Sequence, residues 1–138
     1  MAVLIDTNVV LDWLLEREPF SQQAKQIMEA CIRRKFFGFL ASHTLLNIFY
    51  IVRKHKTVQE RKEIILMLCD KFTVVGINEE MIVSAVKNDA WADLEDGLQM
   101  QCALDSGVDC IVTRDPKGFE SSKIKIFSPA SFIDTFLH

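Results

Sequence analysis

Three aspartates stand where predicted elements meet turns, and their placement points to one kind of chemistry. Asp6 ends the opening strand Ala2-Val3-Leu4-Ile5, and Asp96 lies in the first turn of a helix beginning near Asp93. Asp115 closes the strand Cys110-Ile111-Val112-Thr113. In a parallel α/β sheet, the carboxyl ends of the strands and the adjoining helix N-termini face one crevice, where ligands bind. Carboxylates that converge there without basic partners repel one another, and a divalent cation is the usual remedy. The expectation is a Mg²⁺ or Mn²⁺ site, whose commonest use is phosphoryl chemistry.

Each of these segments also has a purely structural reading. Ile5-Asp6-Thr7-Asn8 is ordinary strand-to-helix punctuation as well as a strand-end acid. Its position tips the balance, because a charge at the end of a central strand is costly to desolvate unless it holds a metal or a partner. In Asp93-Leu94-Glu95-Asp96, Asp93 makes a good N-cap, and acids in a first turn are favoured by the helix dipole. Asp93 and Asp96 nevertheless share a face with Gln99, whereas Glu95 is turned about 100° away and reads as solvated. Asp96 is the stronger ligand candidate and Asp93 the weaker. Leu94 and Leu98 are placed to pack inward.

Thr113-Arg114-Asp115-Pro116 is a turn signal that also offers a third carboxylate. Thr113 would orient a ligand or water. Arg114 reads first as a surface charge and second as a phosphate contact. The basic stretches Arg33-Arg34-Lys35 and Arg53-Lys54-His55-Lys56 fall at helix C-termini, where cations are favoured on dipole grounds alone. No histidine has metal-ligand company.

Positioning these groups requires strands that alternate with helices. Strands are predicted over 2–6, 36–40, 72–77, 109–113 and 123–127. Helices are predicted over 9–15 with Asn8 as cap, from Pro19, from Ser42 (containing Leu45, Leu46, Phe49 and Tyr50), from Thr57, over 79–90, over 93–106 ending at Gly107, and from Pro129. Crossover helices between strands imply a parallel sheet with helices on both faces. The 138 residues read as one domain, 1–138, able to bury a core.

The bulk composition, 49% hydrophobic and 25% charged, fits an ordinary globular protein. A net charge of −3 gives no global basic footprint, so a nucleic-acid ligand would rely on local patches and the metal. Neither a basic leader nor an apolar run of membrane-spanning length is present, and no membrane association is expected. Cys31, Cys69, Cys102 and Cys110 lack C-x-x-C spacing and read as buried, reduced thiols of a cytoplasmic protein.

In order, Ile5-Asp6-Thr7-Asn8, Ser42-x-Thr44, Asp93-Leu94-Glu95-Asp96 and Val112-Thr113-Arg114-Asp115 resemble the PIN domain family, in the single-domain form that serves as the VapC-type toxin of toxin–antitoxin pairs. The likeness spans the chain, including Lys117-Gly118-Phe119 and Phe127-Ser128-Pro129. It implies a three-layer α/β/α fold with a five-stranded parallel sheet. It also implies Mg²⁺- or Mn²⁺-dependent cleavage of RNA, a homodimer, and a small antitoxin protein that blocks the site. Asp6, Asp96 and Asp115 match the family's metal-binding acids, Asp93 matches an acid often near them, and Asn8 and Thr113 would support them. One departure stands out: Asn47 occupies the place where the family usually has a Glu ligand. An amide at that place would act through its carbonyl oxygen or through a metal-bound water. It also leaves open a catalytically degenerate PIN fold that binds RNA or a partner protein without cleavage. A receiver domain is disfavoured because Phe72-Thr73-Val74-Val75-Gly76 ends without an acid, and a haloacid-dehalogenase-type enzyme because Asn8 stands where a second Asp is needed.

Overall fold

The computed structural model describes residues 1–119 and 122–137. Five strands form one parallel sheet: β1 (Ala2–Ile5), β2 (Phe37–Ala41), β3 (Thr73–Val75), β4 (Cys110–Val112) and β5 (Lys125–Phe127). Their order is β3-β2-β1-β4-β5. Seven α-helices accompany them: α1 (Thr7–Leu14), α2 (Ser21–Ile32), α3 (Ser42–Ile51), α4 (Val58–Lys71), α5 (Glu79–Lys87), α6 (Leu94–Ser106) and α7 (Pro129–Phe136). The five-stranded α/β/α expectation is thereby met.

Strand alternation divides the core in two. Val3, Ile5, Leu40, Cys110 and Val112 face a layer built from α1, α2, α3, α4 and α7. Leu4, Ala41 and Ile111 face the opposite way, onto Met81 of α5 and Met100, Cys102 and Ala103 of α6. Successive side chains of a strand point to opposite faces, so a sheet covered on both sides needs apolar residues at every position. The strand Val3-Leu4-Ile5 is fully buried for that reason.

The order places β1 centrally, with β2 and β3 on one side and β4 and β5 on the other. Between β1 and β4 the winding changes direction, and register pairs Ile5 with Val112. A crevice therefore opens past those two residues, at the carboxyl ends of the strands.

Several local boundaries differ from the sequence expectation. Asp6, rather than Asn8, caps α1, because its carboxylate accepts the Thr7 N–H at 2.8 Å. Pro19 sits in the turn ahead of α2, whose first helical residue is Ser21. Ser42 is the first residue of α3 and not its side-chain cap, and Leu46 and Tyr50 on that helix are exposed. The fifth helix stops at Lys87, where the Asn88 side chain accepts the Ala90 N–H in a local turn that competes with the helix. Cys69 is exposed, unlike the other three thiols. By contrast, Thr57 and Glu60 form a full capping box, and Gly107 closes α6 with φ 67°, a conformation a β-carbon would strain. No helix among the described residues is long and apolar enough to cross a membrane.

Candidate metal-binding site

The crevice between β1 and β4 is organised around Asp6, which is 6% exposed. Its Oδ2 accepts the Thr113 hydroxyl at 2.7 Å, and its Oδ1 accepts the Thr7 N–H and, at 3.1 Å, Nε2 of Gln99. The same Gln99 amide donates to Oγ1 of Thr44 at 3.0 Å, and Thr44 and Thr7 hydroxyls meet at 2.8 Å. Asp6, Thr7, Thr44, Gln99 and Thr113 are all buried. Four elements thus tie one carboxylate into a fixed orientation. Burial still raises its pKa above the usual carboxylate value, against the hydrogen bonds from Thr113 and Thr7, and the charges of Glu95 and Asp115 add to the rise.

Asp96 lies opposite, in the first turn of α6. Its carboxyl is pushed up to about 7, first by burial and then by the charges of Asp93, Asp6, Asp115 and Glu95. Asp115 reaches the same place from the turn after β4. A β-carbon on Gly118 would stand 2.7 Å from Asp96 Oδ2 and 3.8 Å from Asp115 Oδ2, so both carboxylates crowd a spot that only glycine leaves open. Thr113 joins the two sides, since its hydroxyl donates to Asp6 and accepts the Asp115 N–H at 3.1 Å. Asn8 accepts the Arg114 N–H at 3.2 Å and holds that turn from α1.

Among the described residues, no Lys, Arg or His forms an ion pair with Asp6, Asp93, Glu95, Asp96 or Asp115. Nor is any group of three or more His, Cys, Asp or Glu among them drawn together as a ready-made metal cage. The donor set nevertheless suits a hard divalent cation. It consists of oxygens, it carries uncompensated negative charge, and the fully buried Gln99 at its edge has an unpartnered Oε1.

Residues 2–117 match the PIN domain family. The chain belongs to that family. Among curated proteins, none matches it. Among solved structures, this PIN domain is similar to a toxin–antitoxin complex from Klebsiella pneumoniae, with TM-score 0.69 and 19% identity over 92% of this chain and 97% of that one. VapBC2 from Rickettsia felis, bound to a DNA fragment from its promoter, gives TM-score 0.68 and 12% identity over 93% and 98%. VapC20 from Mycobacterium tuberculosis, a toxin that cleaves the sarcin–ricin loop, gives 0.63 and 10% over 79% and 86%. At such identities the likeness is one of fold.

Three side chains of this PIN domain lie elsewhere than expected. Arg114 is not a free surface charge. Its Nε and Nη2 donate to the two oxygens of Asp12 at 2.8 and 3.2 Å, and its guanidinium stacks 4.1 Å over the Phe20 ring. A planar fork matched to a carboxylate wins over solvent because Asp12 is 1% exposed and needs a partner. Glu95 is partly buried instead of solvated, and its Oε1 accepts Nδ2 of Asn47 at 3.0 Å. Leu94, expected to pack inward, is exposed. Asp93 caps α6, with Oδ1 accepting the N–H groups of Glu95 and Asp96.

The sequence reading missed the roles of Thr7, Gln99 and Asp12. Asp12 had a visible signal, a lone acid inside the apolar run Val9-Val10-Leu11-Asp12-Trp13-Leu14. A charge in such a run must find a buried partner.

Proposed function

We propose that this PIN domain is a metal-dependent endoribonuclease and the toxin of a toxin–antitoxin pair. The observation that carries the reading is the meeting of Asp6, Asp96 and Asp115 at the β1–β4 crevice with no basic group among the described residues paired to any of them. Asp6, Asp96 and Asp115 would hold Mg²⁺ or Mn²⁺, with Asp93 contributing its charge. When bound, such an ion lowers the pKa of a coordinated water and offsets charge on a scissile phosphate.

The chain's own residues set the geometry for that task. Thr113, Thr7 and Gln99 fix both oxygens of Asp6, so one donor is preorganised before any ion arrives. Asn8 and the Asp12–Arg114 pair hold the turn that carries Asp115. The hydroxyls of Thr7, Thr44 and Thr113 in the crevice are taken up in hydrogen bonds, which suits hydrolysis by water rather than by a side-chain nucleophile. The family and the toxin–antitoxin assemblies among its structural relatives support an antitoxin partner; a homodimer acting in the cytoplasm completes the proposal.

The residue at position 47 favours a second reading, a PIN fold that binds RNA or a protein without cutting. Its amide carries no charge and is engaged with Glu95. Incubating purified protein with total RNA and Mn²⁺ separates the two. The first reading expects cleavage that EDTA abolishes and that Asp96→Asn reduces by at least about a hundredfold. Retention of RNA without cleavage at any metal concentration would establish the second.

A further inference from the structure

Glu95 is the acid whose placement nothing so far explains. It is partly buried, one of its oxygens is held by an amide from another helix, and no cation is paired with it among the described residues. Its second oxygen has no donor among the described residues. His43, which feels the charge of Glu95, offers no help: both of its ring nitrogens are buried without a hydrogen-bond partner among the described residues, and burial holds the imidazole toward its neutral form. Asp6 and Asp96 both feel Glu95 as a like charge. A carboxylate held against other carboxylates is unfavourable unless a cation offsets it.

We infer that Glu95, aimed by the Asn47 amide, is a further carboxylate donor to the divalent cation, delivered from α6. This rests on the metal site proposed above. The Asn47 side chain comes from the second turn of α3, from across the crevice, and spans 48 positions of sequence to reach Glu95. Asn47 is therefore a positioning residue, not a ligand. Its neutrality follows from the same arrangement, because an acid at 47 facing an acid at 95 would repel it. The unpartnered Oε1 of fully buried Gln99, whose amide nitrogen rests on Asp6, marks the same cluster as lacking a positive partner.

The test uses the full chain and Mn²⁺ alone, with affinity read by calorimetry and melting temperature read in EDTA. Glu95→Gln keeps an acceptor for Asn47 but removes the charge. It should weaken Mn²⁺ binding on the order of ten- to hundredfold, while leaving the metal-free melting temperature unchanged or raised. Asn47→Ala should weaken binding by a few-fold. The exchange Asn47→Glu with Glu95→Gln returns one carboxylate to the pair and should restore affinity to within about threefold of wild type. A purely structural hydrogen bond would give the reverse pattern, a lower metal-free melting temperature with unchanged affinity, and would overturn the inference. Wild-type affinity in Glu95→Gln would also overturn it. If wild type binds no Mn²⁺ at all, the metal site itself falls; if Asp6→Asn abolishes binding and Glu95→Gln does not, only the inference about Glu95 falls.

Discussion

Asp12 and Asp96 are both acids withdrawn from water, and the protein treats them in opposite ways. Asp12 is almost fully enclosed and meets a bidentate Arg114, with Arg17 3.8 Å away. Asp96 is burdened by burial and by the charges of Asp93, Asp6, Asp115 and Glu95, with no ion-pair partner among the described residues, and its carboxyl rises to about 7. The first arrangement is complete within the chain. The second is balanced only by protons or by a cation from outside. Charge balance, more than burial, thus separates a carboxylate that holds the fold from one that awaits a ligand.

Breaking the completed pair should have the larger effect. Arg114→Ala leaves Asp12 enclosed without its fork and should destabilise the protein by about 3 kcal/mol. Urea denaturation in EDTA at neutral pH measures this, and a loss under about 1 kcal/mol would mean that Arg17 and water suffice. Asp96→Asn should act with the opposite sign. In EDTA at pH 8 it should stabilise by about 1 kcal/mol, discounted because the group is only partly buried and solvent screens its neighbours' charges.

The same contrast has a pH signature. Asp96 binds its proton more tightly in the folded chain, about 7 against 3.8, so the native state carries more protons than the unfolded one between those values. Stability of the metal-free protein should therefore fall as pH rises across that window and level off above it. Asp6 is shifted in the same direction and adds to the slope. Asp96→Asn should flatten the curve, and a wild-type curve that climbs over this range would contradict the picture of mutually repelling acids.

The smallest effect expected is that of Gly118→Ala. Its methyl would collide with Asp96 Oδ2 at 2.7 Å and push the carboxylate aside. Mn²⁺ affinity should drop on the order of three- to tenfold with little change in metal-free stability, as calorimetry would show. Unchanged affinity would place Asp96 outside the ion's reach.

Much of this was legible from residue order. The alternation of apolar strands and helices, the Thr57–Glu60 capping box and the Gly107 stop follow from local chemistry that tertiary packing did not override. Strand-end placement singled out Asp6 and Asp115, because a parallel sheet brings those ends together whatever the loops do. Local competition among short polar side chains hid the rest. Asp6 took the cap that Asn8 was suited for, and Asn88 ended α5 early. Glu95 and Arg114 were misjudged because a helical angle or a turn tells where a side chain starts, not what stands across from it. Their partners, Asn47 and Asp12, lie 48 and 102 positions away.

The most direct test of the acid cluster is the melting temperature with and without Mn²⁺ in wild type, Asp6→Asn and Asp96→Asn. A ligand bound only by the native state adds about 2.7 kcal/mol at a hundred times its Kd, which for a chain of this size raises the melting temperature by about 5 to 10 °C. Wild type should show that rise, and both variants should lose most of it. An equal rise in all three proteins would place the ion elsewhere and contradict the assignment of Asp6 and Asp96 as its ligands.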